Sequence, residues 1–134
     1  MKHIYFLCIG NSSRSQMAEG FAKHFSKGLV EVKSGGTKPA SKVSSKAILV
    51  MKEIGIDISN HNPKKMDIEF VKQSDLVVIM GCGAEKMCPA WVVSKSENWD
   101  LEDTQDQEID FYRKTRDSIK MHVLELLERI TKEK

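Results

Sequence analysis

The chain has no long apolar stretch, no framework of paired cysteines and little net charge. None of its runs approaches the roughly 18 consecutive apolar residues of a membrane span, and residues 4–7 are too short for the core of a signal peptide. A net charge of +2 gives no reason to expect a nucleic-acid or membrane partner. Three cysteines are an odd number without the spacing of a secreted disulfide scaffold. We therefore expect a cytoplasmic protein whose thiols are reduced and available for chemistry.

What the chain does contain is enough apolar sequence for one core, arranged in alternating patterns. Apolar residues make up 40% of its 134 residues, and no linker or repeat divides them, so we expect a single domain over residues 1–134. Alternating strands and helices predict an α/β domain with a parallel sheet. The predicted strands are 3–7, 29–33, 75–80 and, more weakly, 97–101; the predicted helices are 15–27, 44–53, 66–73 and 106–132; residues 34–36 are predicted as a turn and 81–96 as a loop.

The most informative motif lies where the first strand ends. Cys8 is followed by five residues, then Arg14 and Ser15, and a helix is predicted to begin there. A loop between a strand and a helix N-terminus directs backbone N–H groups at one point and binds tetrahedral oxyanions. Arg14 and the positive helix end would favour the thiolate form of Cys8. The motif predicts a nucleophile in an oxyanion site; the alternative is a buried structural cysteine with Arg14 as a surface charge.

The other two cysteines lie together in a segment that contains glycines and ends at Pro89. Cys82 and Cys88 are close enough in sequence to form a disulfide if that segment bends. They could instead be packing residues. A zinc site using the cysteines with His3 or His61 is disfavoured, because the chain has no Cys-x2-Cys pair and a zinc-bound Cys8 could not attack a substrate.

A candidate general acid follows the weak fourth strand. In a parallel sheet the carboxyl ends of the strands share one edge, so Asp103 is expected near Cys8. A carboxyl group there could protonate a leaving oxygen. Asp100, Glu102 and Asp106 are rivals for the role.

Together these segments resemble a known family, the thioredoxin-linked arsenate reductases built on the low-molecular-weight protein tyrosine phosphatase fold. The resemblance rests on residues 8–20, 55–59, 80–83 with 88–89, 99–103 and 116–117. It implies a three-layer domain in which helices flank a four-stranded parallel sheet of order 2-1-3-4.

The resemblance also implies a mechanism for arsenic detoxification. Cys8 would attack arsenate, Asp103 would protonate the departing oxygen, and a disulfide would pass from Cys8–Cys82 to Cys82–Cys88. Thioredoxin would reduce the final disulfide, although glutaredoxin- or mycothiol-linked recycling stays open. Phosphate or sulfate would mimic the substrate. We expect a monomer without a tightly bound cofactor and with weak phosphatase activity. The residues implied to bind the oxyanion are Ile9, Gly10, Asn11, Ser12, Ser13, Arg14 and Ser15.

The resemblance further implies that Ser15 hydrogen-bonds the Cys8 thiolate and that Asn11 holds the loop in shape. The chain departs from the family at two positions. Many relatives have Cys where this chain has Ser13, and many have Pro where it has Thr104. Some relatives bind a monovalent cation beside the loop, for which Asn11, Glu19 and Ser34 would be the candidates here; we make no firm prediction of such a site.

Two other classes of function fit parts of the sequence. A plain tyrosine phosphatase would use Cys8, Arg14 and Asp103 to hydrolyse a phosphocysteine intermediate and would not need the other cysteines. Phosphatases of this size usually carry aromatic walls, whereas Ile9 follows Cys8 here. A non-enzymatic oxyanion sensor is the other alternative, and the complete set of cysteines and the candidate acid disfavour it.

Overall fold

The computed structural model describes residues 2–80, 88–94, 96–102, 104 and 106–132. Within them, parallel strands alternate with helices as predicted. In chain order the elements are β1 (Lys2–Cys8), α1 (Arg14–Ser26), β2 (Val30–Gly36), α2 (Ser45–Lys52), α3 (Ile68–Gln73), β3 (Leu76–Ile79), α4 (Ala90–Ser94), β4 (Ser96–Asn98) and α5 (Ile109–Lys132). No helix in these ranges is both long enough and apolar enough to cross a bilayer.

The strands form one parallel sheet of order β2-β1-β3-β4, which confirms the predicted order. β1 is central and pairs with β2 on one side and β3 on the other. Residues 4–7 of β1 are fully buried because elements cover both faces of the sheet. The register sets Cys8 beside Gly36, at the carboxyl edge where such folds place their sites.

Alternate residues of the strands face two separate apolar clusters. We call the larger one the main cluster; it takes Ile4 and Phe6 from β1 and packs them against α1, α2 and α5. The smaller one, the second cluster, takes Tyr5 and Leu7 from β1 and packs them against α3 and α4. The sheet is therefore the middle of three layers, with unequal layers on its two faces.

Two local predictions were wrong. Residues 34–36 continue β2 instead of forming a turn, and residues 90–94 within the predicted loop form α4. A Cβ on Gly35 would lie 2.0 Å from the Tyr5 hydroxyl, and one on Gly36 would lie 2.5 Å from the Ile9 carbonyl oxygen. The two glycines are thus needed for close packing within the sheet, a use that sequence alone does not distinguish from a turn.

Candidate active site

Residues 8–15 form a loop between β1 and α1 whose carbonyl groups are bonded on one side. The carbonyls of Cys8 and Ile9 accept hydrogen bonds from the amides of Thr37 and Lys38, at 3.2 and 2.8 Å. Further along, the Gly10 and Ser12 carbonyls accept from the amides of Ala40 and Ser44, at 2.9 and 2.8 Å. Segment 37–44 therefore holds the loop carbonyls towards itself, the arrangement required if the loop amides are to serve an oxyanion.

Cys8 lies at the floor of this loop, and the residue as a whole is 2% exposed. The amide of Asn11 donates to Sγ at 3.1 Å, and the Ser15 hydroxyl lies 2.9 Å from Sγ. The Asn11 amide is a donor and the Ser15 hydroxyl can act as one, and donors to the sulfur stabilise a thiolate. The contact between Ser15 and Cys8 is the one that the resemblance implied.

Asn11 connects the loop to its surroundings through both ends of its amide. Its backbone is left-handed, with φ of 50°. Its Nδ2 donates to the hydroxyls of Ser15 and Ser34 at 2.7 and 2.9 Å, and its Oδ1 accepts from the Lys64 amide at 2.8 Å and from Gln16 Nε2 at 3.0 Å. A left-handed residue with every side-chain polar atom bonded fixes the bend of the loop.

The Arg14 side chain spans the carboxyl edge of the sheet. It is 4% exposed, and its Nη1 donates to the carbonyls of Met80 and Leu101 at 3.2 and 3.1 Å. The alternative of a surface charge is therefore wrong for Arg14. Arg14 and Cys8 line the same cleft, so the buried guanidinium supplies fixed positive charge to it.

That cleft has a volume of about 640 Å³ and a basic rim. The loop forms its floor, and Lys38, Lys42 and Lys46 line its walls together with Tyr112. Neither the three lysines nor Tyr112 was predicted as a site residue from the sequence. Lysines spaced four apart in a polar segment were the available signal, but their position over the loop depends on the fold. The cleft suits a small anion.

The amino-acid sequence of the chain matches a known protein family. The low molecular weight phosphotyrosine protein phosphatase family matches residues 3–134. The chain belongs to this family. Arsenate reductase 2 of Staphylococcus epidermidis is 46% identical over 120 residues, which are 89% of this chain and 91% of that protein.

Solved structures of the family agree in fold. A structure described as an arsenate reductase in the phosphate binding state is 37% identical, covers 97% of this chain and 99% of its own, and superposes with a TM-score of 0.87. The thioredoxin-dependent arsenate reductase of Corynebacterium glutamicum is 29% identical, with a TM-score of 0.84 over all of this chain and 64% of its own. Phosphatases with the same fold are also among the similar structures.

Of the three other residues predicted to be catalytic, the structure describes only Cys88. Cys82 and Asp103 lie outside the described residues. Cys88 is half-buried and packs against the second cluster, whereas Cys8 belongs to the main cluster. Among the rivals for the acid, Asp106 lines the cleft. Within the described residues, Cys8 and the oxyanion loop form one site, whereas Cys88 lies at the other cluster.

The candidate cation ligands do meet, but two lysine ammonium groups already lie beside the one charged ligand among them, Glu19. The Ser34 hydroxyl bonds both Asn11 Nδ2 and the buried carboxylate of Glu19. Lys23 pairs with that carboxylate and Lys64 Nζ lies 3.9 Å from it. Burial raises the pKa of Glu19, but hydrogen bonds from Lys23 and Ser34 and the two ammonium charges outweigh it and hold the pKa below its ordinary value. The charge of Glu19 is thus balanced without a bound cation.

We also searched the described residues for a cluster of side chains that could bind another metal ion, such as zinc. No group of three or more His, Cys, Asp or Glu side chains there is close enough to hold a metal ion. Of the two histidines considered with zinc, His61 Nδ1 lies 2.9 Å from Gln16 Oε1, and His3 Nε2 lies 2.9 Å from Glu31. Burial lowers the pKa of His61. Its contact with Gln16 makes it part of the packing around Asn11.

Proposed function

We propose that this protein reduces arsenate to arsenite, with Cys8 as the nucleophile. The observation that carries the proposal is the Cys8 sulfur, bonded by the Asn11 amide and the Ser15 hydroxyl at the floor of a basic cleft. The relatedness to an arsenate reductase over most of the chain supports arsenate as the oxyanion. The activity is the one that the resemblance implied from the sequence.

In the first step, the Cys8 thiolate attacks arsenic and an arsenic–sulfur bond forms. One arsenic–oxygen bond breaks, and the departing oxygen accepts a proton from Asp103 and leaves as water. The loop amides and Arg14 hold the remaining arsenate oxygens; an arginine forms paired hydrogen bonds to such groups. The Ser15 hydroxyl and the Asn11 amide contact the sulfur before attack.

In the second step, the Cys82 thiolate attacks the sulfur of Cys8. A sulfur–sulfur bond forms, the arsenic–sulfur bond breaks, and its electron pair stays on arsenic, which leaves as arsenite. The Cys88 thiolate then attacks Cys82, so that Cys8 is released as a thiolate and the disulfide moves to Cys82–Cys88. Each exchange depends on the thiolate fraction and the access of the attacking sulfur.

A dithiol protein completes the cycle by reducing the Cys82–Cys88 disulfide, and we propose thioredoxin for this role. The thioredoxin-dependent relative supports it. Such a cycle requires a compartment that keeps thiols reduced, so we place the protein in the cytoplasm. We propose no tightly bound cofactor and a single domain. The monomer prediction is also a proposal, and gel filtration can test it.

Phosphate-ester hydrolysis is the second candidate, and Tyr112 in the cleft wall is the observation that favours it. An aromatic wall is the feature that a phosphotyrosine site needs, and none was predicted from the sequence. Tyr112 is 5% exposed, and its hydroxyl lies 3.3 Å from Ser44 Oγ. Because little of its ring is available for stacking, we expect phosphatase activity to be the weaker of the two.

The decisive experiment compares the parent protein with Cys88→Ser. We would follow arsenate-dependent NADPH oxidation with thioredoxin and thioredoxin reductase, and in parallel the hydrolysis of 4-nitrophenyl phosphate. A reductase should lose steady-state turnover in Cys88→Ser but still form one arsenite per protein, since Cys8 and Cys82 remain. The phosphatase rate should not change, because hydrolysis uses neither Cys82 nor Cys88.

Two results would contradict the proposal. Rapid phosphate release by the parent without NADPH oxidation would make the protein a phosphatase. Normal recycling of Cys88→Ser by thioredoxin would show that Cys88 is not the resolving thiol. Met121→Ala is a suitable control, because Met121 is 69% exposed on α5 and makes no part of the site.

A further inference from the structure

A buried hydroxyl pair joins the oxyanion loop to the segment after β4. Ser13 Oγ and Thr104 Oγ1 lie 2.6 Å apart, although the two residues are 91 positions apart in sequence. Ser13 is 7% exposed and Thr104 is 1% exposed. A hydroxyl buried to this extent needs a partner, and here each is the partner of the other.

A second contact ties the same segment to the loop from its other end. Leu101 accepts a hydrogen bond from Arg14 Nη1 at 3.1 Å through its carbonyl. Leu101 and Thr104 therefore each bond one of two adjacent loop residues, Arg14 and Ser13. The two contacts bracket sequence position 103, which carries the proposed acid.

Such a connection matters because proton transfer depends on position. A general acid must come within hydrogen-bond distance of the oxygen that it protonates. A displacement of about 1 Å by a residue remote from the reacting atoms can cost about 100-fold in rate. Leu101 and Thr104 lie on either side of position 103 in the sequence, and each is bonded to the oxyanion loop.

We infer that Ser13 and Thr104 form a positioning pair, which ties Thr104, the residue that follows the proposed acid in the sequence, to the oxyanion loop. The inference deepens the proposed function and rests on it for the identity of the acid. Neither residue needs to touch the reacting atoms through its hydroxyl, since each acts through the other. Arg14 contributes at the Leu101 end of the same segment.

The test is a double-mutant cycle with Ser13→Ala, Thr104→Val and both together, and with Thr104→Ser as the conservative variant. Two readouts are measured: single-turnover arsenite formation, and hydrolysis of 4-nitrophenyl phosphate and phenyl phosphate. Phenol is the poorer leaving group, so its release depends more on a correctly placed acid. Thr131→Val is the matched control, because Thr131 bonds only within α5 among its described contacts.

We expect Thr104→Val to lower both rates by about 10- to 100-fold with little change in KM. The loss should be larger for phenyl phosphate than for 4-nitrophenyl phosphate. Thr104→Ser should stay close to the parent because it keeps the hydroxyl. The double variant should be no slower than the slower single variant, since either change removes the same contact.

Three results would overturn the inference: a Thr104→Val protein as active as the parent, equal losses for the two aryl phosphates, or additive losses in the double variant. A Thr104→Ser protein as impaired as Thr104→Val would also overturn it, because packing would then be the cause. Failure of the proposed function would give a different result from failure of this inference. A parent that does not reduce arsenate contradicts that function, while the comparison of the two aryl phosphates still tests the pair.

Discussion

The two faces of the sheet differ in how much structure is packed against them. The main cluster, which includes Cys8, is covered by α1 with 13 residues and α5 with 24. The second cluster, against which Cys88 packs, is covered by α3 with six residues and α4 with five. Short helices over a small core bury fewer apolar groups, so they open locally at a lower free-energy cost.

This difference suits the two tasks in the proposed mechanism. The nucleophile must stay in one place, because its loop has to hold the substrate in a fixed geometry. The relay thiols must approach one another in turn, so their surroundings have to rearrange. The described residues fit these needs, because Cys8 lies in the main cluster and Cys88 packs against the second one.

Replacing Arg14 by Lys should produce the largest effect. Lysine carries the charge but cannot bond both Met80 and Leu101 while presenting a planar fork to an oxyanion. We expect the rate of arsenite formation to fall by about 100- to 1,000-fold, with the protein still folded. Single-turnover kinetics and circular dichroism would check this. A lysine variant within about twofold of the parent would contradict the assignment of Arg14 to the oxyanion site.

Alanine substitutions in the two clusters test the comparison directly. Ile119→Ala in α5 should lower the free energy of unfolding by about 2–5 kcal/mol, and Val92→Ala in α4 by about 1–3 kcal/mol. Both side chains are fully buried. Urea unfolding followed by circular dichroism would measure the two losses. A larger loss for Val92→Ala would show that the second cluster is not the weaker one.

The same two variants should differ in thiol reactivity. In a Cys82→Ser background, Val92→Ala should speed the reaction of Cys88 with a thiol reagent, because α4 and Cys88 pack against the same cluster. Ile119→Ala should leave the Cys88 rate unchanged at temperatures where the protein is folded. Equal acceleration by both changes would indicate global unfolding instead of local opening.

The smallest effect is expected at Glu19, on the loop side of the molecule. Glu19→Gln should cost about 0.5–1.5 kcal/mol of stability at pH 7, because glutamine can still accept a hydrogen bond from Ser34 but cannot pair with the Lys23 ammonium group. Because the pKa of Glu19 is lowered in the folded state, its contribution is present above the ordinary pKa of 4.5 and is lost as the pH falls through the folded value. Urea unfolding between pH 7 and pH 3 should show the gap between parent and variant narrowing. A constant gap would contradict this account.

The elements themselves were largely predictable from local pattern. The continuous apolar run of β3, the alternation in β2 and the helical spacing of α5 each reflect which faces are buried, and burial is written into short stretches of sequence. The exceptions were Gly35 and Gly36. They resemble turn residues, but close approach to Tyr5 and Ile9 requires them.

The sequence by itself determined the alternation of strands and helices and the loop from Cys8 to Ser15, because those depend on residues that are neighbours in the chain. Tertiary structure alone decided the contacts around that loop. The bond between Ser13 and Thr104, the lysines along the cleft wall and the Lys64 ammonium group near Glu19 join residues far apart in sequence or on different elements. No local pattern encodes such contacts, since they exist only once the strands are in register and the helices are packed.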